Sequence, residues 1–219
     1  MTPERFKRIR QVLDRRQPDL TVLLENVHKP HNFAAILRTA DAVGLFEAHA
    51  VFNQGPLRTS LVSASGTDRW IDVHVHARVE DGLDHLRQRG FRIVAAHPGT
   101  DAVDYRNLDL TQPVAFVLGQ ELDGLTPQTL AAADQCVVIP MSGFVTSLNV
   151  SVAAAILLFE AQRQRQDAGL YSAPRLEPVL RARTLFEWAY PDLAELCRKR
   201  NAPYPRLDDD GRILDEIPR

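Results

Sequence analysis

Short apolar runs alternate with segments of helical period along most of this sequence, and no other feature limits its fold so strongly. The runs expected to form strands are 20–24, 47–52, 71–76, 91–96, 114–118 and 136–139, and those at 20–24 and 136–139 are expected to be buried. The segments between them carry apolar residues three or four positions apart, as amphipathic helices do. Apolar strands separated by such helices are typical of a mostly parallel sheet with helices on both faces. We therefore predict an α/β fold.

Polar, glycine and proline residues indicate where the helices begin and end. Asn32 is expected to cap the helix 33–43 at its N-terminus, and Gly44 to end it. Further helices are expected at 6–13, 58–64, 79–89, 126–133, 147–166 and 179–200. We divide the chain into an N-terminal basic helix at 1–19, a core at 20–165, and a C-terminal helical extension and tail at 166–219.

The composition excludes several classes of protein. Hydrophobic residues make up 45% of the chain and charged residues 25%, as in ordinary globular domains. The longest apolar run, 152–159, is too short to span a membrane, and the first residues lack the apolar segment of a secretory signal. Cys136 and Cys197 match no metal or redox spacing. We expect a cytoplasmic protein with no membrane partner and no metal.

The charge is distributed unevenly, although the net charge is only −2. Residues 1–30 carry seven basic and four acidic residues, a balance of +3, and residues 161–206 carry nine and five, a balance of +4. Residues 31–160 carry eight and fourteen, a balance of −6. A polyanion would therefore be bound by the flanks rather than the core. Arginine on helix surfaces also serves solubility, so the charge alone leaves both interpretations open.

The segment IPMSGFVTSLNVSVAAA at 139–155 is the most unusual part of the core. It ends an apolar strand, passes through a polar loop, and opens an otherwise apolar helix with three small polar residues, Ser147, Asn149 and Ser151. Capping a helix requires only one or two such residues. The remainder are available to a ligand at the helix N-terminus, where backbone N–H groups are exposed.

Common nucleotide and metal motifs are absent from the sequence. No GxGxxG follows the first strand, and neither GxxxxGK[ST] nor HExxH occurs. His74 and His76 alternate along one strand and are interpreted as structural residues rather than metal ligands. Unusual residues instead follow three strands, at 95–100, 118–121 and 139–141. Ligands of parallel sheets collect at such strand ends.

Three segments together resemble the motifs of one enzyme class. They are NFAAILRTADAVG at 32–44, FVLGQELDGL at 116–125 and IPMSGFVTSLNVSVAAAI at 139–156. In order and spacing they resemble the three motifs of SPOUT-class (SpoU-type) RNA ribose methyltransferases. The segments RRQPDLTVLLENVHKPHN at 15–32 and EAQRQRQDAGLY at 160–171 are similar to those of members that methylate guanosine 18 of tRNA.

This resemblance implies properties that residue spacing cannot show. It implies a deep trefoil knot in the C-terminal part of the core, S-adenosylmethionine as methyl donor, and tRNA as substrate. It also implies a homodimer with the active site at the interface. From the residues alone, an unknotted sheet would be expected, because knotted chains are rare.

The resemblance further implies a catalytic set of Arg38, Asn32, Glu121, Ser147 and Asn149. Methyl transfer to a ribose hydroxyl needs positioning and removal of a proton, and no metal. Because arginine keeps its proton in proteins, we interpret Arg38 as a group that holds a phosphate and the 2′-oxygen, rather than as a base. Asn32 would orient it, or only cap the helix. Glu121 would attract the sulfonium or fix nearby amides, or form only a loop salt bridge.

Two further sets of residues are expected to bind the cofactor and the RNA. The cofactor is expected to lie on backbone groups and apolar side chains of Ala96, Leu118, Gly119, Ile139, Met141 and Leu148. The RNA backbone is expected to contact Arg8, Arg15, Arg16, Arg163 and Arg165. The missing side chain of Gly119 would let the cofactor approach the backbone.

Other RNA targets and a non-catalytic role are the alternatives. Ribosomal RNA enzymes of this class typically carry a separate N-terminal domain, for which the residues before Leu20 leave no room. Enzymes for the tRNA wobble position are little more than the core. Loss of Arg38, Glu121 or Asn149 would favour a non-catalytic RNA-binding module, and all three are present.

Overall fold

The computed structural model describes residues 1–52, 70–99, 101–120 and 123–217. Within these residues, seven strands form one sheet in which all neighbouring strands are parallel. The strands are β1 (Leu20–Glu25), β2 (Glu47–Val51), β3 (Asp72–His76), β4 (Arg92–Ala96), β5 (Val103–Asp104), β6 (Val114–Gly119) and β7 (Gln135–Val138). Their order across the sheet is β3-β2-β1-β6-β4-β7-β5. The predicted α/β fold with a mostly parallel sheet is confirmed.

The described residues also form seven α-helices. They are α1 (Pro3–Leu13), α2 (Pro30–Val43), α3 (Val79–Gln88), α4 (Pro127–Ala132), α5 (Val150–Asp167), α6 (Pro178–Ala189) and α7 (Pro191–Lys199). All but α3 and α5 have a proline in the first turn, where a backbone N–H is not needed for the helix. Among the described residues, no helix is both long and apolar enough to cross a membrane.

Two elements differ from what the sequence predicts. The single helix expected at 179–200 is wrong, because Pro191 cannot continue α6 and instead begins α7. The two-residue strand β5 was not expected, since it is too short to give a pattern. The helix expected at 58–64 lies outside the described residues.

The chain divides into two compact units, Gln17–Leu170 and a smaller one made of Met1–Arg16 with Tyr171–Arg219. The larger unit holds the whole sheet, which buries apolar side chains on both faces. Val22 and Leu24 of β1 belong to the cluster that includes α2 and α5, whereas Leu23 belongs to the cluster that includes α3. Successive strand residues point to opposite faces, so helices cover the sheet on both sides.

Arg165 of α5 is fully buried in the larger unit, and all five of its N–H groups are used. Nε donates to the carbonyl oxygen of Leu110 (2.8 Å), and Nη1 donates to Oε1 of Gln17 (3.2 Å) and Oδ1 of Asp19 (2.6 Å). Nη2 donates to the carbonyl oxygens of Asp19 (3.0 Å) and Gln112 (2.7 Å). Asp19 directly precedes β1, and Gln112 lies two residues before β6, so Arg165 fastens the amino ends of these strands to α5. The prediction that it binds RNA is wrong, because a buried guanidinium cannot reach a phosphate.

The smaller unit packs α1 against α6 and α6 against α7. Arg181 of α6 is paired with Asp14, at 2.6 Å. Arg16 is also buried, with its guanidinium 5.1 Å from the ring centre of Trp188. Arg16 is therefore a packing residue, and its predicted contact with RNA is also wrong. Arg8 and Arg15 remain exposed on this unit.

Candidate active site

The carboxyl ends of the central strands meet at one edge of the sheet and form an open pocket. The pocket is lined by Ala96, His97, Pro98, Val137, Val138, Ile139, Met141, Thr146, Ser147, Leu148, Ala153 and Leu157. Four residues predicted to hold the cofactor, Ala96, Ile139, Met141 and Leu148, thus line one cavity, although one ends β4 and the others lie between β7 and α5. The sequence expectation that ligands collect at strand ends agrees with this position.

Two other predicted cofactor residues, Leu118 and Gly119, are not among those lining this pocket. Leu118 is buried in the core of the sheet. Gly119 faces its own chain, because a Cβ at this position would lie 2.1 Å from the carbonyl oxygen of Gly124. The amide of Gly124 also donates to the carbonyl oxygen of Gln120, at 3.1 Å. A glycine at 119 thus leaves room for the backbone of Gly124, and its predicted contact with the cofactor stays a prediction.

Asn32 and Asn149 connect the first turns of α2 and α5. The Nδ2 of Asn149 donates to Oδ1 of Asn32, at 3.1 Å, across 117 residues of sequence. The Oδ1 of Asn149 accepts from the amide (2.8 Å) and the hydroxyl (2.6 Å) of Ser151. Asn149 is thus the N-cap of α5 and at the same time fixes the buried Asn32. Two motifs of the sequence meet in this contact.

These contacts correct two predicted helix boundaries. The N-cap position of α2 is occupied by Lys29, and Asn32 lies inside the first turn. The last predicted helix of the core begins at Val150 rather than at 147. Ser147 therefore lies in the preceding loop, where it lines the pocket and forms no side-chain hydrogen bond with a described residue. Asn32 does not cap α2, and its side chain instead accepts the hydrogen bond from Asn149.

Arg38 lies on the exposed face of α2. Its guanidinium forms no hydrogen bond or ion pair with any described residue. The exposed guanidinium can therefore meet an external anion. Glu121, the remaining predicted catalytic residue, lies outside the described residues.

Glu25 is a buried carboxylate at the carboxyl edge of the sheet that the sequence analysis did not identify. It ends β1 beside Gly119 of β6 and is fully buried. Its Oε2 accepts from the hydroxyl of Thr129 (2.7 Å) and the amide of Thr126 (3.3 Å), the N-cap residue of α4. Glu25 thereby anchors the far end of the loop that follows β6. A carboxylate closing an otherwise apolar strand is the signal that would have identified it.

Comparison with known proteins identifies the family of this chain. The SpoU rRNA Methylase family matches residues 19–159, and the family of SpoU rRNA methylase C-terminal segments matches residues 163–216. The chain belongs to the SpoU rRNA methylase family. The resemblance seen in its three motifs is confirmed.

Individual relatives of this SpoU-family chain extend the match. A tRNA (guanosine(18)-2′-O)-methyltransferase of Escherichia coli (strain K12) is 48% identical over 215 residues, which are 97% of this chain and 94% of that protein. The crystal structure of the A. aeolicus TrmH/SpoU tRNA modifying enzyme superposes with a TM-score of 0.77 at 40% identity, covering 86% of this chain and 96% of that one. An AdoMet-bound rRNA methyltransferase from Sinorhizobium meliloti gives 0.60 at 33% identity, with 71% and 59% covered.

Elsewhere in this SpoU-family fold, four histidines cluster on β2, the outermost strand β3 and α3, and two of them, His49 and His74, contact Glu47. His49 and His74 stack with ring centres 5.1 Å apart, and His49 and His76 with centres 5.3 Å apart. His85 of α3 lies 5.4 Å from His49, measured between ring centres. The Nδ1 of His49 and Nε2 of His76 are 3.0 Å apart, so one ring donates a hydrogen bond to the other. No group of three or more His, Cys, Asp or Glu within the described part of the chain is arranged to hold a metal ion.

The cluster perturbs its own ionisation. Burial raises the pKa of Glu47, but its contacts with His49 and His74 and the charge of Arg89 outweigh this, so the pKa lies far below the usual range. Burial lowers the pKa of His49, and burial together with the neighbouring histidines lowers that of His76 to about 4. The hydrogen bond to Glu47 raises the pKa of His74. These opposed shifts are those of an internal charge network, which favours the structural interpretation of His74 and His76.

Proposed function

We propose that this protein transfers a methyl group from S-adenosylmethionine to the 2′-hydroxyl of guanosine 18 in tRNA. The observation that carries this proposal is the 48% identity, across 97% of this chain, with an E. coli protein of that activity. The pocket and the paired motifs at the carboxyl edge of the sheet supply a site for such a reaction. The proposal includes a cytoplasmic location, where tRNA is found.

The extent of the matches favours tRNA over ribosomal RNA as the substrate. The structural match to the A. aeolicus TrmH/SpoU tRNA modifying enzyme leaves 14% of this chain uncovered, whereas the structural match to the S. meliloti rRNA enzyme leaves 29% uncovered. The relatives that match more of this chain are the tRNA enzymes, and the family description for residues 163–216 extends the match beyond the core. The tRNA enzymes are therefore a better guide to its substrate than the rRNA enzymes. Ribosomal RNA is the second candidate, because the family description names it.

The residues of the pocket fit S-adenosylmethionine. Ile139, Met141 and Leu148 offer an apolar surface for the adenosine part, while His97 and Ser147 offer polar groups for the remainder. The bound cofactor would supply an electrophilic methyl group on a sulfonium. We also propose, from the family, that the loops around this pocket belong to a trefoil knot.

Each predicted catalytic residue of the three motifs has a distinct role in this proposal. Exposed Arg38 holds the phosphate next to the target ribose and stabilises negative charge on the 2′-oxygen, for which its fixed fork of donors is suited. Asn149 and Asn32 hold the first turns of α5 and α2 together, which fixes where Arg38 is presented. Ser147 hydrogen bonds the substrate ribose from the pocket rim. Glu121 completes the set by fixing nearby amides, and the proton leaves through phosphate or water.

We further propose a homodimer formed through α5. Val152 and Phe159 are 46% and 50% exposed and lie seven residues apart, with Ile156 between them, so they share one helix face. An apolar stripe on the helix that follows the active-site loop would place a second copy beside the site. Light scattering should give twice the chain mass for the wild type and a monomer for Val152→Glu. The matched change Val179→Glu, at an exposed valine of α6, should leave the dimer intact.

The exposed basic residues Arg8, Arg15 and Arg163 are proposed to contact the tRNA backbone. Arg163 is paired with Glu160 (2.7 Å) and Asp167 (2.9 Å), so it must exchange these partners for phosphate. Arg8 and Arg15 both lie exposed on the smaller unit. Replacing both with alanine should weaken tRNA binding and flatten its salt dependence by about 0.7–0.9 in logarithmic slope per lost phosphate contact. Unchanged affinity and slope would restrict these residues to solubility.

Mass-spectrometric mapping of modified nucleosides tests the proposed function. The protein, S-adenosylmethionine and an unmodified tRNA transcript should yield methylation confined to the ribose of guanosine 18. A matched transcript with 2′-deoxyguanosine at position 18 should remain unmethylated. A methylated base, a different position, or methylation of ribosomal RNA alone would overturn the assignment.

A further inference from the structure

His97 lies in the pocket, yet the three motifs assign it no role. It directly follows β4, and its amide donates to the carbonyl oxygen of Val137, at 3.1 Å. Its carbonyl oxygen accepts from the amide of Gly99, also at 3.1 Å. The half-buried imidazole, in contrast, forms no hydrogen bond with a described residue. The backbone is thus fixed on the neighbouring strand, while the ring remains available to a ligand of the pocket.

The rest of the pocket has few polar side chains. Of its twelve lining residues, only His97, Thr146 and Ser147 carry a side-chain nitrogen or oxygen, and none is Asp, Glu, Lys or Arg. Histidine is therefore the one lining residue that can carry a positive charge. A ligand with an ionised group must find a hydrogen-bond partner there, because leaving a charge unpaired in an apolar pocket is costly.

S-adenosylmethionine presents two different parts to such a pocket. The adenosine part suits the apolar walls, whereas the amino-acid tail carries an ammonium and a carboxylate. A carboxylate accepts hydrogen bonds, and those from a charged donor are the stronger ones. The imidazole of His97 is the lining group best matched to it.

We propose that His97 binds the carboxylate of the amino-acid tail and so makes the pocket selective for ligands that carry this group. This rests on the proposed use of S-adenosylmethionine. His97 is accordingly a specificity residue for the methyl donor, with no part in handling the 2′-hydroxyl.

Calorimetric binding of two ligands to the full-length protein without RNA tests the proposal. The ligands are S-adenosylmethionine and decarboxylated S-adenosylmethionine, which lacks only the carboxylate. His97→Leu should reduce the preference for S-adenosylmethionine by about tenfold, the size expected for one hydrogen bond to a charged group. His97→Gln, which keeps a donor, should retain part of the preference. His85→Gln, at a histidine outside the pocket, should leave the preference unchanged.

The outcomes separate this proposal from the proposed function. An unchanged preference in His97→Leu, or equal weakening of both ligands, would overturn the role of His97 while leaving the methyltransferase assignment intact. Failure of the wild type to bind S-adenosylmethionine would overturn both. Thermal unfolding of each variant confirms that folded protein is compared, and His97→Gln gives the same readout if His97→Leu does not fold.

Discussion

Polar side chains at the amino edge of the sheet, where the strands begin, differ in their hydrogen bonding from those at the carboxyl edge, where the strands end. At the amino edge, Arg165 places every donor on an acceptor next to the starts of β1 and β6. At the carboxyl edge, His97 and Ser147 have no side-chain hydrogen bond with a described residue, and the same holds for Arg38 on the exposed face of α2. Buried polar groups that are fully paired stabilise a fold, whereas open ones are available to ligands. Polar side chains thus hold strands and helix together at one edge and remain available to ligands at the other.

Removing Arg165 should give the largest loss of stability. Arg165→Met leaves Asp19 and three carbonyl oxygens without their donor, and breaking a buried ion pair in this way costs about 3–5 kcal/mol. Urea unfolding followed by circular dichroism measures the change. Arg163→Ala, two residues earlier on the exposed face of α5, is the matched control and should shift the midpoint only slightly. A stable Arg165→Met protein that had lost tRNA affinity would restore the RNA-binding role and break the contrast between the edges.

Removing Arg38 should leave stability unchanged and affect catalysis instead. Arg38→Ala is expected to lower kcat by about 10²–10³, the usual cost of deleting one group that stabilises transition-state charge. Arg38→Lys should recover only part of the rate, because lysine keeps the charge but loses the planar fork. Single-turnover methylation of tRNA and calorimetric binding of S-adenosylmethionine separate the two effects. Full activity of Arg38→Ala, or a large loss of cofactor affinity, would contradict the proposed contact with RNA.

Asn149 combines the two behaviours, because it both caps α5 and reaches Asn32. Asn149→Ala loses the cap and should destabilise the protein by about 1 kcal/mol, and it should also lower activity. Asn149→Ser restores a cap acceptor but is too short to reach Asn32, so its stability should recover while its activity stays low. Thermal unfolding and methylation rates of the two variants show this. If activity recovers together with stability in Asn149→Ser, the contact with Asn32 has no functional part.

Most strands and helices of the core could be predicted because they follow a simple pattern of burial, whereas β3 has no buried residue and β5 is too short to show a pattern. It could not choose the cap among Ser147, Asn149 and Ser151, since all three residue types cap helices. The burial of Arg165 could not be predicted from its neighbours, because its hydrogen-bond acceptors lie up to 148 residues away in the sequence. One signal was present, however: Arg165 lies four residues after Ala161 and seven after Leu158, both buried, so helical period placed it on the covered face. The charge count ignored this helical period, and it therefore assigned Arg165 to RNA binding.

The histidine cluster offers a further test of the contrast between paired and open polar groups. Substitutions there are expected to change the melting temperature by the smallest amount. The pKa of His76 is lowered to about 4 from its ordinary value of 6.5, chiefly by burial. Between these values the unfolded chain binds a proton at His76 that the folded chain does not, so stability falls as pH is lowered through this window. The raised pKa of His74 acts in the opposite direction: its stabilisation is present at low pH and is lost as pH rises through the folded value.

Melting temperatures at pH 5 and pH 7.5 should therefore change differently in two neighbouring variants. Removing the depressed group in His76→Gln should reduce the acid-induced fall in Tm relative to the wild type, by about one to a few degrees. Removing the raised group in His74→Gln should enlarge it. His28→Gln, at an exposed histidine outside the cluster, gives the baseline for the substitution itself. Equal falls in all four proteins would mean that the cluster is as open to solvent as the carboxyl edge, and that its polar groups are not a closed network.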